Sequence, residues 1–101
     1  MYVITLTYTA PLEMIDAALP GHVRWLEAAY ADGVFLASGR RVPRTGGVIL
    51  ARPCARDVLE QRLAEDPFAK AGLARYDILE FIPTMTADVL APLRETPAVR
   101  T

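Results

Sequence analysis

The 101-residue chain predicts one α+β domain. Three observations carry this reading: four short runs rich in β-branched and aromatic residues, two intervening stretches with helical apolar spacing, and Gly or Pro at nearly every boundary. A chain of this length buries roughly 65% of its unfolded surface, enough for one modest core and no second domain. The 52% apolar content opposes disorder, and no apolar run approaches the ~20 residues of a membrane span.

The first strand is Tyr2–Tyr8, in which Tyr2, Ile4, Leu6 and Tyr8 alternate with Val3, Thr5 and Thr7. Thr9-Ala10-Pro11 breaks it. Leu12 to Leu19 suits a helical turn or two, and Pro20 fits the first position of a helix running to about Asp32, with an apolar stripe of Val23, Leu26 and Tyr30, where Gly33 stops it. Val34–Gly39 and Gly47–Arg52 read as strands two and three of an antiparallel hairpin, joined by the turn-rich Arg41–Gly46. Pro53 ends the third strand. Val58, Leu59 and Leu63 then space an apolar stripe along a second helix from about Ala55 to Glu65. Tyr76–Ile82 supplies strand four, which Pro83 ends. The domain thus spans residues 1–83, and residues 84–101 form a tail in which Met85, Val89, Leu90 and Leu93 mark one short helix.

The usual solution for a β-α-β-β-α-β order is the ferredoxin-like arrangement, a four-stranded antiparallel sheet with both helices on one face. Strand one is also apolar at Val3, and strand four carries Leu79 and Phe81 opposite Ile78 and Ile82, so the second face calls for a cover. A second copy of the chain would supply it, giving a homodimer with two sheets stacked face to face.

A net charge of −1 offers no general attraction to nucleic acid or anionic membrane. Strand three, Gly47 to Arg52, also lacks the stacking aromatics of an RNA-binding sheet. Met1-Tyr2-Val3-Ile4 runs straight into a strand without the pattern of a signal peptide, and a cytoplasmic location is expected. Cys54 is alone, so no internal disulfide forms, and one Cys with one His cannot build a structural zinc site. Neither a metal nor a cofactor is expected; Gly46-Gly47 precedes a strand and lacks the lysine of a phosphate-binding loop.

His22 and Asp66 are the candidates for chemistry. Imidazole titrates near neutral pH, and a neighbouring carboxylate can fix its tautomer and stabilise its charged form. His22 falls in the first turn of the expected helix, on the side of Trp25 and Leu26, facing the sheet edge. A histidine so placed is also commonly just a satisfied, partly buried residue. Asp66, preceding Pro67, equally suits the N-cap of a short turn ending at Gly72, a role worth ~1 kcal/mol. In this fold the two segments can meet beside the sheet. Arg40, Arg41, Arg44 and Arg52 gather positive charge on the hairpin, where a guanidinium suits a carboxylate or phenolate; Arg40 shares a sheet face with Ser38. The plainer reading of those arginines is a solvated loop that guards a sheet edge.

The Pro20–Leu26 stretch around His22, the Asp32-Gly33 exit, the strand ending in Ser38-Gly39, and above all Asp66-Pro67-Phe68-Ala69-Lys70-Ala71-Gly72-Leu73 resemble the YciI-like (YCII-related) family. These are small dimers of the α+β barrel superfamily, and the likeness runs from strand one through strand four. It implies a catalytic His22/Asp66 pair in a pocket beside the sheet, with Ser38 and Gly39 lining it. One departure bears on pocket shape and substrate: many relatives follow Ser/Ala-Gly with proline, whereas this chain has Arg40 and then Arg41. Ser38, Gly39 and Arg40 are accordingly the substrate-binding candidates. The expected function is a small cofactor-independent enzyme in which His22, oriented by Asp66, moves a proton during isomerisation or elimination of a small anionic organic substrate, dehydrochlorination included. The alternative is a noncatalytic module of the same fold that binds a small anion in that pocket.

Overall fold

A computed structural model describes residues 1–96, so the last five residues of the expected tail, 97–101, lie outside the described residues. Strands β1 (Tyr2–Tyr8), β2 (Phe35–Arg40), β3 (Gly46–Ala51) and β4 (Ala74–Glu80) form one sheet of order β2-β3-β1-β4. All neighbouring pairs are antiparallel. With helices α1 (Leu12–Ala31), α2 (Arg56–Ala64) and the short α3 (Pro67–Lys70), this is the ferredoxin-like α+β arrangement that the element order predicts.

The core lies between the sheet and the helices. Central β1 buries Tyr2, Ile4 and Leu6, and its register sets Ile4 beside Ile49 of β3 and Ile78 of β4. These side chains share one cluster with Ile15, Trp25 and Ala29 of α1, Leu59 and Leu63 of α2, and Phe68 of α3. Burial of each large apolar side chain contributes about 1.5–3 kcal/mol. β3 can lie this close to β1 because Gly46 has no side chain; a Cβ there would stand 1.7 Å from the Leu6 carbonyl oxygen.

Several boundaries differ from the sequence reading. Leu12–Ala31 is one continuous helix of 20 residues with Pro20 inside it, not a turn or two followed by a new helix at Pro20. Pro20 removes the N–H that would bond the Asp16 carbonyl, yet the helix persists because it buries Ile15, His22, Trp25 and Ala29 across that point. His22 is therefore far from the helix start, and the positive potential of exposed first-turn amides does not act on it. The inward face also differs: Val23 and Tyr30 are 40% and 38% exposed, Trp25 and Ala29 buried. In α2, Val58 faces outward while Leu59 and Leu63 are buried.

β4 runs two residues earlier than expected because its partner sets its limits. Tyr2 pairs with Glu80 and Tyr8 with Ala74, so strand pairing with β1 is exhausted at Glu80. Beyond it only Phe81 continues, its amide donating to the Met1 carbonyl and its carbonyl accepting from the Met1 amine, each at 2.9 Å. The tail does form one short 3₁₀ helix, Asp88–Leu93, but of its apolar residues Leu93 alone is buried; Met85 and Val89 are exposed. On the outer face of the sheet Val3 lies between Leu50 and Leu79 in one cross-strand row, and Leu79 is 63% exposed. Among the described residues no helix is long and apolar enough to cross a membrane.

Candidate active site

Asp66 organises the site. It caps α3, its Oδ1 accepting the Phe68 amide at 3.0 Å with Pro67 at the first helical position. The same oxygen lies 2.8 Å from His22 Nδ1, and Oδ2 accepts the hydroxyl of Tyr76 from β4. Asp66 is wholly buried. Three protein donors from three elements meet this one carboxylate, which satisfies a group that would otherwise be costly to take out of water. Burial, and next the hydrogen bond to Asp66, push the Tyr76 hydroxyl well above its ordinary range.

His22 is held on every side. With Asp66 as acceptor, Nδ1 carries the proton and Nε2 remains for a ligand. The ring stacks on Phe68, with centroids 4.0 Å apart and planes 8° from parallel, and Trp25 lies 5.5 Å away. Trp25 is itself fixed by its Nε1 donating to the Arg62 carbonyl at 2.9 Å. Gly21 explains how α1 and α3 come close enough: a Cβ there would already stand 3.3 Å from Pro67 Cγ. Proline, glycine and histidine in succession thus place an imidazole where the capped turn can meet it.

His22 borders a pocket of about 150 Å³ between α1 and the sheet. Its apolar wall includes Leu6, Leu19, Leu26 and Phe68; Ser38, Arg40 and Arg44 supply polar groups, and no carboxylate borders it. Strand register turns Ser38 and Arg40 toward the helices, opposite Ile49 and Gly47. The Ser38 oxygen accepts the Tyr30 hydroxyl at 2.6 Å, which leaves its own proton to donate elsewhere. Gly39 borders the pocket with backbone only, since its open side faces the other way. The remaining hairpin arginines separate: Arg41 donates to Thr7 at 3.2 Å, and Arg52 lies off the pocket. Among the described residues no group of three His, Cys, Asp or Glu side chains could hold a metal.

Tyr76 and Tyr30 were not legible as site residues. Tyr76 carries only the signal of an inward strand position, and its acceptor sits ten residues back on a different element. A four-stranded antiparallel sheet, helices on one face and a buried imidazole–carboxylate pair at a small pocket define a class of compact α+β proteins. Within that class, the profile of the YCII-related domain matches residues 1–82, and the chain belongs to the YCII-related family. Among solved structures it is similar to 5-chloro-2-hydroxyhydroquinone dehydrochlorinase (TftG) from Burkholderia phenoliruptrix AC1100 in complex with 2,5-dihydroxybenzoquinone. The TM-score is 0.67 at 19% identity, over 80% of this chain and 93% of that one, a likeness of fold. No curated protein matches the chain.

Proposed function

We propose that the chain is a cofactor-independent acid–base enzyme acting on a small, single-ring anionic organic molecule, with elimination of the dehydrochlorination type or isomerisation as its reaction. The observation that carries this reading is the 2.8 Å contact between Nδ1 of His22, a residue that borders a pocket, and buried Asp66, which leaves the other ring nitrogen available to a ligand. In the elimination, Nε2 takes a proton from the substrate, the released electron pair forms the new double bond, and chloride leaves from the neighbouring carbon. Asp66 holds the tautomer and offsets the imidazolium charge. Ser38 donates to a substrate oxygen, Gly39 leaves room beside it, and Arg40 meets negative charge at the pocket edge. The size fits, because a cavity of about 150 Å³ receives a benzene ring. The activity printed for the structurally similar dehydrochlorinase supports the same direction.

The working unit in this reading is a homodimer in which a second copy covers the outer row of Val3, Leu50 and Leu79. The lone, exposed Cys54 suits a reducing, cytoplasmic setting. The test is chloride release and absorbance change with chlorinated hydroquinones, comparing the unaltered protein with His22→Ala and Asp66→Asn. Turnover is expected to fall by about 10²–10⁴-fold in His22→Ala, the usual worth of a positioned acid–base group. Undiminished turnover in both variants would overturn the assignment. Tight binding without conversion would instead favour a noncatalytic anion-binding module.

A further inference from the structure

Arg44 lies in the loop between β2 and β3 and borders the same pocket as His22. Its terminal nitrogen pairs with Asp16 of α1. Its Nε is, among the described residues, the one buried side-chain nitrogen or oxygen without a hydrogen-bond partner. Such donors are rare in native proteins, and each asks for a reason. A guanidinium has five N–H groups in a rigid fork, so the contact with Asp16 fixes it while leaving donors unspent.

The contrast with Arg40 is informative. Arg40 is exposed on the edge strand, whereas the Arg44 side chain is 25% exposed and tied down. Preorganisation of this kind strengthens binding because less side-chain freedom is lost when the ligand arrives. Position agrees with it. Asp16 precedes His22 by six residues of α1, a rise of about 9 Å along the helix axis, so the anchored arginine stands toward the α1 start from the imidazole. With no carboxylate bordering the pocket, its charged wall is cationic.

Resting on the pocket assigned above, we infer that Arg44, positioned by Asp16, determines specificity by receiving the carboxylate or phenolate group of a single-ring ligand whose remaining atoms reach His22. Asp16 is a positioning residue, and Arg44 forms charge-assisted hydrogen bonds with the ligand.

His22 is the only histidine, so its imidazole ¹⁵N signals report on the pocket without ambiguity. The probes are benzoate and its uncharged counterpart benzamide, titrated at low salt into the unaltered full chain and into Arg44→Gln, Arg44→Lys and Arg40→Gln. Benzoate is expected to move the His22 signals with at least about tenfold higher affinity than benzamide. Arg44→Gln removes that preference without weakening benzamide, Arg44→Lys keeps part of it, and Arg40→Gln, at the pocket edge, lowers it less than Arg44→Gln does. A preference that survives Arg44→Gln overturns this inference and leaves the pocket reading intact, the more so if Arg40→Gln abolishes it. If neither probe moves the His22 signals, the pocket reading falls and this inference with it.

Discussion

Asp66 shows how one residue can be read locally and still be understood only in three dimensions. Its cap role follows from Asp-Pro, and its partner His22 was a candidate because imidazole chemistry singles it out. What the chain could not display was the Tyr76 hydroxyl on the second oxygen, since that contact depends on strand register. The same holds for Arg44, visible as one of four hairpin arginines but distinguished from the others by its contact with Asp16 and its unpartnered Nε. Asp66→Ala is expected to cost about 3 kcal/mol or more in urea unfolding, because a cap is lost and two buried donors are left without an acceptor. Tyr76→Phe tests a positioning role: it should lower kcat by about tenfold, with KM little changed. It has a second signature. The folded protein keeps the Tyr76 proton above the ordinary value near 10, while the unfolded chain releases it there. Stability from this group is complete below about pH 10 and is lost as pH rises further. Thermal unfolding should show a shallower alkaline decline in Tyr76→Phe; an unchanged decline would rule out this coupling.

Among the elements, strands were read best where alternation had a buried face to enforce it. β1 matches its expected span residue for residue. The sequence pattern divides helix α1 in two because proline is locally a starting signal, and only the buried series from Ile15 to Ala29 shows why the helix continues past it. Pro20 is exposed, so Pro20→Ala restores the missing bond to the Asp16 carbonyl without disturbing the core. It should stabilise the protein by about 1–3 kcal/mol in urea; a loss of stability would mean that α1 needs its proline. Gly46→Ala should act in the opposite direction. A methyl group 1.7 Å from the Leu6 oxygen must force β3 from β1, costing about 3 kcal/mol or more and lowering the melting temperature accordingly.

For the molecule as a whole, composition and element order were enough to identify the ferredoxin-like arrangement, because few topologies accommodate two β-α-β halves in one short chain. They could not place the end of β4, which is set by where β1 begins. The outer sheet row of Val3, Leu50 and Leu79 belongs to this level too, since it acquires meaning only if another copy covers it. Light scattering is expected to give twice the chain mass, and Leu79→Arg to give the single-chain mass with the far-UV signature intact. A single-chain mass for the unaltered protein would remove the dimer from the proposed function.

The placement of β2 has one more consequence. Ser38 and Arg40 hang from a strand with a neighbour on one side only, whereas His22 and Asp66 are embedded in the core. Under the proposed function, substrate preference would be adjustable at the periphery while the proton-handling pair stays constant. A library randomised at positions 38 and 40 should consist mostly of folded proteins, making this chain a tractable starting point for directed evolution.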